Sequence, residues 1–299
     1  MRFDRDLRRK VVHYVMAGLA LVCVGLALAP LVYILYTSVS LGSRVVSLAF
    51  LTGTEPLPCT SAAFSACPHG GIGPAIQGTL LLIGIASSIS LPLGILTGIY
   101  LSEYGRGAFG SAVRFVADVM TGIPSIVVGI FVYSLFLYAG MVGWLPVSWV
   151  FSTLSGGVAL SVIMVPIVAR TSEEALRTVP VSTREAALAL GIPPHRTVGR
   201  IVLATGRTAI LTGALLAIAR AGGETAPLLA TDFGSRLWFQ GIGNPSDSLP
   251  ISIWNGGLSG YPNLEADAWG ATLILIVIML TISVTARLLL RQRFGAGVV

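Results

Sequence analysis

Long apolar stretches alternate with short polar segments along the chain. Six of these stretches predict membrane-spanning helices, near residues 11–37, 76–102, 112–139, 154–177, 207–231 and 269–291. Each is longer than the ~20 residues that cross a hydrocarbon core of ~30 Å as a helix. Because helices satisfy their own backbone hydrogen bonds in lipid, we predict an all-α integral membrane protein with six transmembrane helices.

Composition agrees with a membrane location, since 54% of the residues are hydrophobic and only 11% are charged. The first apolar stretch has a second interpretation as a signal peptide, because Ala27, Leu28 and Ala29 resemble a cleavage site. However, the apolar run extends from Val11 to Tyr36, whereas the apolar region of a signal peptide has ~7–15 residues. We therefore expect a retained transmembrane anchor.

Basic residues are distributed unequally about the predicted membrane. All but three of the 19 Lys and Arg residues fall in segments predicted on one side: 2–10, 106–114, 170–207 and 287–293. The opposite loops contain Arg44 and Arg236, and Arg220 lies inside a predicted span. Because cytoplasmic loops carry the excess of positive charge, both termini are expected in the cytoplasm. The net charge of +6 then reflects topology and contact with membrane lipid, and it does not indicate binding to nucleic acid.

Two of the three cysteines, Cys59 and Cys67, lie in a predicted extracytoplasmic loop, where disulfides persist. We expect them to form a disulfide that closes a small loop, and two free thiols are the alternative. His69 lies beside them, but two Cys and one His make an incomplete metal site, so no metal is expected.

The long polar loop between the fourth and fifth spans predicts a short, sharply bounded helix. Ser182 and Glu185 have the spacing of a capping box, and Gly191 can end the helix in a left-handed conformation. Pro193 and Pro194 then prevent its continuation. Such a rigid element on the cytoplasmic face suits docking into the groove of a partner protein.

The same loop carries a recognisable motif. Glu185, Ala186 and Ala187, followed by Gly191, resemble the EAA signature of permease subunits of binding-protein-dependent ABC importers. Ala204 stands where that family usually has a proline. The resemblance implies that the short helix sits in a cleft of a cytoplasmic ATPase and transmits its motion.

ATP hydrolysis is not expected in this chain. A Walker loop needs a Gly-Lys-Ser/Thr sequence, and the only lysine is Lys10, near the N-terminus. The chain is therefore predicted to be non-catalytic and to hold no cofactor of its own. ATP and magnesium are expected on a separate ATPase subunit.

Two charged residues in the fifth predicted span bear on the substrate. Arg220 lies 13 residues after Arg207, or ~20 Å along a helix axis, which places it near the middle of the membrane. Glu224 follows at i+4 on the same helix face. The two residues form either a neutralising ion pair or a transient anion site. A guanidinium fork fits the oxygens of phosphate, and a carboxylate can accept the proton that phosphate retains and sulfate lacks.

Four further segments resemble the A-type permease subunit of Pst phosphate ABC importers: residues 122–131, 165–180, 219–230 and 249–255. The resemblance implies a type I ABC importer permease fold in a prokaryotic plasma membrane. It also implies the partners: a homologous C-type permease subunit, two copies of a cytoplasmic ATPase subunit, an extracytoplasmic phosphate-binding protein and inorganic phosphate.

The same resemblance implies residue roles and a division of the chain. Arg220 and Glu224 are expected in the phosphate pathway. Arg170 and Glu173 are secondary candidates, with a surface or coupling-loop ion pair as the alternative. The expected parts are an N-terminal segment with the first helix and an extracytoplasmic loop (1–74), the permease domain (75–291) with its coupling loop (178–206), and a cytoplasmic tail (292–299).

Other functions remain as alternatives. The nearest is an ABC importer of another oxyanion, such as sulfate or molybdate. A secondary transporter or channel would need no ATPase-docking helix. A membrane-embedded hydrolase would need converging nucleophiles or metal ligands in the spans, and the sequence places no such cluster there.

Overall fold

The computed structural model describes residues 2–59 and 70–294, and regular structure in these ranges is helical. The helices are α1 (Arg2–Gly42), α2 (Leu48–Thr52), α3 (Gly73–Glu103), α4 (Ala108–Gly122), α5 (Ser125–Met141), α6 (Thr153–Arg177), α7 (Val181–Ala189), α8 (Pro194–Arg196), α9 (Leu203–Gly222), α10 (Ala226–Thr231), α11 (Leu249–Gly257) and α12 (Pro262–Phe294). A 3-10 turn at Val147–Val150 precedes α6, and a π-helical segment at Thr197–Val202 joins α8 to α9. We call the side that holds residues 178–206 the inner side and the side that holds residues 232–248 the outer side.

Within the described ranges, five apolar helices are long enough to cross a membrane, and the bent pair α4–α5 makes a sixth span. The six-span prediction is therefore confirmed, but its third span is not one helix over 112–139. The axes of α4 and α5 differ by 105°. Pro124 lacks an amide hydrogen and excludes the helical conformation at the preceding residue, so Ile123 adopts an extended ψ of 131°.

The predicted fifth span is also interrupted. The helix expected over 207–231 ends at Gly222, and α10 begins after a break at residues 223–225. Two consecutive glycines weaken helix propagation here, and Pro227 occupies the first turn of the next helix, where a missing amide hydrogen is tolerated. Toward the inner side this span is longer than predicted, because the π-helical segment and α8 extend it to Pro194.

The central helix is α6, which contacts α3, α4, α5, α9 and α10. Small residues let the neighbouring backbones approach it. A methyl group at Gly98 of α3 would lie 2.8 Å from the Ala169 carbonyl oxygen, and Gly213 of α9 lies against Thr171. The core cluster around these contacts consists of Leu82, Ala86, Leu160, Met164, Val168, Ala217, Ala221, Leu228 and Ile251.

The predicted short helix of the inner loop is present as α7, but the predicted capping box is wrong. The helix begins at Val181 after Pro180, and no side chain caps its N-terminus. Because Pro180 fixes the backbone at the helix entry, Ser182 lies inside the first turn and cannot cap it. Gly191 has a φ of 76°, which confirms the predicted left-handed stop.

The outer segment before α3 contains a disulfide-bonded cysteine, Cys59. Its backbone N–H also donates to the side-chain oxygen of Asn263 in α12, at 3.2 Å. The predicted partner, Cys67, lies outside the described residues, so the pairing stays a prediction. Cys23 of α1 is a free, exposed thiol.

Candidate functional site

The charged pair predicted in the fifth span lies where α9 ends. Arg220 occupies the last turn of α9, and Glu224 lies in the break before α10. The Arg220 Nε donates to Glu224 Oε1 at 3.4 Å. This distance is at the long end of the range for a hydrogen bond, so the pair is loose.

Arg220 lies at mid-depth and is open to the outside of the single chain. Its neighbours Ala217 and Ala221 belong to the same buried core cluster as Met164, which is near the midpoint of α6. The Arg220 side chain is nevertheless 55% exposed, while that of Glu224 is 18% exposed. A guanidinium that faced lipid at this depth would cost ~2.5 kcal/mol or more.

A second charge cluster lies nearer the inner side, around Glu173 of α6. The Glu173 side chain is 2% exposed and contacts three guanidinium groups. Its Oε1 accepts a hydrogen bond from Arg114 at 2.6 Å and lies 2.7 Å from Arg177. Its Oε2 accepts from Arg170 at 3.2 Å. Arg170 and Glu173 thus form an ion pair in which the carboxylate is buried, with its charge compensated.

Arg170 also joins α6 to α4. Its Nε and a terminal nitrogen donate to the two carboxylate oxygens of Asp118, each at 2.8 Å. One helical turn earlier in α4, Arg114 donates to the carbonyl oxygens of Leu101 and Gly105. Arg114 therefore anchors α4 to the inner end of α3, whereas Asp118, with a side chain 54% exposed, forms an accessible ion pair.

The two clusters lie on adjacent antiparallel helices, at different depths. Gly213 of α9 is level with Thr171 of α6, which is next to Arg170. Arg220 follows Gly213 by seven residues in the sequence. At 1.5 Å per residue, Arg220 therefore lies ~10 Å farther toward the outer side than Arg170.

One arginine attaches α7 to the spans. Arg184 donates to both carboxylate oxygens of Glu103, at 2.7 and 3.2 Å. It also donates to the carbonyl oxygens of Leu176 at 2.9 Å and Val179 at 2.6 Å. Glu103 is the last residue of α3, and the two carbonyl groups lie at the inner end of α6 and just beyond it. Arg184 therefore holds α7 against two spans at once.

The remaining residues of the EAA motif divide between a buried and an exposed side. Ala187 is buried, whereas Glu185 and Ala186 are exposed. Large apolar side chains on and beside α7 are also exposed: Val181, Leu188 and Leu190. The side of α7 that does not contact the spans therefore combines large apolar side chains with the carboxylate of Glu185.

The outer side contains a polar cavity of about 240 Å³ between α11 and the loop that follows α10. Asp247 lines it and accepts a hydrogen bond from Ser252, and Arg236 pairs with Glu55 at 2.8 Å. Burial raises the pKa of Asp247 to about 7, an effect that nearby Glu55 reinforces and Arg236 opposes. Burial also raises the pKa of the neighbouring Asp232 to about 7.

Several of these contacts were not predicted from the sequence: those of Arg114, Asp118 and Arg177 with Arg170 and Glu173, and that of Glu103 with Arg184. A signal for the first group was available. Arg114 and Asp118 are charged, four residues apart, and lie at the start of an apolar stretch, as Arg170 and Glu173 lie at the end of another. Two such pairs with complementary charges indicate neighbouring helices. The partner of Arg184 has no comparable signal, because Glu103 is far away in sequence.

Known proteins resemble the chain over most of its length. Residues 90–292 match the family described as "Binding-protein-dependent transport system inner membrane component". The phosphate transport system permease protein PstA of Yersinia pestis is 40% identical over 88% of this chain and 84% of its own length. PstA of Haemophilus influenzae is 33% identical over 98% of this chain and its own whole length.

The fold has a solved counterpart. A chain of the MetNI methionine ABC transporter in an inward-facing conformation superposes with a TM-score of 0.57, covering 73% of this chain and 95% of that one. At 16% identity this likeness concerns the fold alone. It confirms the permease fold implied by the resemblance to the Pst permease subunits.

Proposed function

The chain belongs to the family of PstA phosphate transport system permease proteins, and from this premise we propose that it is the transmembrane permease subunit of an ATP-driven importer of inorganic phosphate. It spans a prokaryotic plasma membrane with both termini in the cytoplasm. Residues 75–291 form the permease domain, with a coupling loop at 178–206. A separate ATPase binds ATP and magnesium and drives the transport.

The exposed guanidinium of Arg220 is the observation that carries the proposal. A charge at mid-depth is stable only where protein or water, not lipid, surrounds it. Arg220 is open in the single chain, so a second subunit must cover this face and leave a water-filled path between the two. A homologous C-type permease subunit fits this requirement, and each subunit then forms half of the pathway.

The Arg220–Glu224 pair suits phosphate among the oxyanions. The guanidinium fork can bind two phosphate oxygens at once. The loose contact between Arg220 and Glu224 can open at little cost when an anion arrives. Phosphate near neutral pH keeps at least one O–H, which can donate to the Glu224 carboxylate, whereas sulfate has no proton to donate. Arg170 and Glu173 extend the pathway toward the inner side.

The position of α7 suits coupling to the ATPase. Its exposed apolar side chains face away from the spans, and the exposed Glu185 and Ala186 belong to the EAA motif. We infer that each of two ATPase subunits takes one such helix, one from this chain and one from the C-type subunit. An extracytoplasmic phosphate-binding protein delivers phosphate at the outer side.

Substitution of the pair tests the pathway role. In the assembled complex, Arg220→Lys should abolish phosphate uptake, because an ammonium group lacks the bidentate fork. Glu224→Gln should impair it, because an amide also donates where an acceptor is needed. The double variant Arg220→Met/Glu224→Gln removes both charges and should assemble without transporting phosphate. Arg44→Met, at an exposed outer arginine, is the matched control and should transport normally.

A purely structural ion pair gives a different result. Each single variant would then leave a partly buried charge without its counter-ion and reduce assembly. The double variant would recover both assembly and uptake. Normal phosphate uptake by Arg220→Met/Glu224→Gln would therefore overturn the pathway role.

A further inference from the structure

We propose that Arg170 is a second oxyanion-binding site at the inner end of the pathway, and that Asp118 occupies it as a built-in competitor until phosphate displaces it. The inference rests on the phosphate-import function proposed above. It adds a release step in which a carboxylate of the protein exchanges with the transported anion.

The geometry of the Asp118–Arg170 contact is that of an anion held in a guanidinium fork. Two nitrogens of Arg170 donate to two different carboxylate oxygens, each at 2.8 Å. Two oxygens of a phosphate group can accept the same pair of hydrogen bonds. Asp118 is also the exposed one of the two carboxylates in the network, since its side chain is 54% accessible, whereas the Glu173 side chain is 2% accessible. Asp118 can therefore leave while Glu173 stays.

The charges around the site also favour exchange with phosphate. Arg114, Arg170 and Arg177 surround Glu173, and Asp118 brings the second negative charge. When Asp118 is displaced, three guanidinium groups and one carboxylate remain, which leaves two net positive charges. Hydrogen phosphate carries the two negative charges that neutralise them. The buried Glu173 meanwhile keeps the three arginines in place.

The depth of Arg170 fits a release step. It lies ~10 Å nearer the inner side than Arg220 on the adjacent helix, and therefore farther along the direction of import. Asp118 lies on α4, which ends at the 105° bend and is anchored by Arg114 to the end of α3. The return of its carboxylate to Arg170 displaces phosphate into the cytoplasm and opposes rebinding from that side.

Inhibition of import by phosphate on the ATPase side tests this exchange. The wild-type and Asp118→Asn complexes, with the ATPase and the binding protein, are placed in proteoliposomes that contain ATP and graded inorganic phosphate. The internal phosphate concentration at which import falls to half should be about fivefold lower for Asp118→Asn than for the wild type. This factor follows because an exposed ion pair contributes ~1 kcal/mol and 1.4 kcal/mol corresponds to a tenfold change. Asp118→Glu keeps the competing carboxylate and should remain near the wild-type value. Arg170→Met in the Asp118→Asn background should remove the added sensitivity.

An Asp118→Asn complex that imports phosphate with unchanged sensitivity to internal phosphate would overturn the proposal and leave Asp118 a structural residue. The wild-type complex provides a second measurement that does not depend on folding of a variant. Internal phosphate should slow the modification of Arg170 by phenylglyoxal, as followed by mass spectrometry, and an unchanged rate would also refute the site. Absence of phosphate import by the wild-type complex would refute the proposed function instead, because the labelling of Arg170 is measured independently of transport.

Discussion

Removal of the Arg184 side chain should uncouple ATP hydrolysis from phosphate import. Arg184→Ala deletes four hydrogen bonds, two to Glu103 and one each to the carbonyl oxygens of Leu176 and Val179. It also leaves the Glu103 carboxylate, whose side chain is only 10% exposed, without its cation. Breaking a buried ion pair in this way costs ~3–5 kcal/mol. We take ~3 kcal/mol, because Arg184 is 20% exposed and water screens part of the interaction.

This energy lowers the population in which α7 is attached to α3 and α6. At 1.4 kcal/mol per tenfold change, the attached population falls roughly 100-fold relative to the detached one. Arg184→Lys keeps the charge but cannot reach the carboxylate and both carbonyl oxygens together, so its effect should be intermediate. Glu103→Gln keeps an acceptor for Arg184 and should have the smallest effect of the three.

The assay is the number of phosphate ions imported per ATP hydrolysed by the assembled complex in proteoliposomes. The ratio should fall in the order Glu103→Gln, Arg184→Lys, Arg184→Ala, while the ATPase remains active. Arg196→Ala, at an exposed arginine of the same inner segment, is the control and should keep the wild-type ratio. The double variant Glu103→Gln/Arg184→Ala should import more phosphate per ATP than the added effects of the two single variants predict, because no carboxylate is left without its cation. An Arg184→Ala complex that assembles and keeps the wild-type ratio would refute this reasoning.

Two further predictions concern the inner and outer loops. Gly191→Val should impair uptake, because a β-branched residue is strained at a φ of 76°, whereas Gly191→Asn should retain most of the uptake. Equal uptake by the two variants, each normalised to the amount of assembled complex, would contradict this prediction. At the outer side, burial raises the pKa values of Asp247 and Asp232 to about 7, so the folded loop holds protons that the unfolded loop releases. The stability of residues 232–248 should therefore fall as the pH rises from about 4 through 7. The measurement is hydrogen exchange of the backbone amides in this loop, which should accelerate with pH more than the intrinsic exchange rate does. Asp247→Asn should weaken this dependence, and Asp232→Asn/Asp247→Asn should remove it; an unchanged pH dependence in the double variant would contradict the assignment.

The sequence predicts the number of spans because hydrophobic length is a local property of the chain. The sequence predicts the breaks within these spans less well. Pro92, Pro124 and Pro166 all lie in predicted spans, but α3 and α6 continue through the first and last of these, whereas Pro124 separates α4 from α5. Whether a proline interrupts a helix depends on the packing that compensates for its missing hydrogen bond, and that packing is not encoded locally.

The candidate site shows the same limit. Arg220 and Glu224 are four residues apart, and their pairing could be predicted from helix geometry alone. The contacts of Arg170 with Asp118 and of Arg184 with Glu103 join residues separated by 52 and 81 positions. They depend on which helices are neighbours, which the apolar pattern does not specify. The proline at 180 likewise moved the start of α7 away from a capping motif that has the correct local spacing.

The position of α6 explains how motion at α7 can reach the proposed anion sites. Arg184 fixes α7 to the ends of α3 and α6, and these two helices have little freedom to slide past each other. A methyl group at Gly98 of α3 would lie 2.9 Å from the backbone nitrogen of Glu173, so the two backbones are in contact beside the buried carboxylate. A displacement of α7 should therefore move α3 and α6 together and carry Arg170 with them. Asp118 belongs to α4, which continues into α5 through the bend at Pro124. The Asp118–Arg170 ion pair therefore joins this body to the bent span, one helical turn from the point where Arg114 anchors α4 to the end of α3. On the exchange proposed above, a displacement of α7 should alter the competition between Asp118 and phosphate for Arg170.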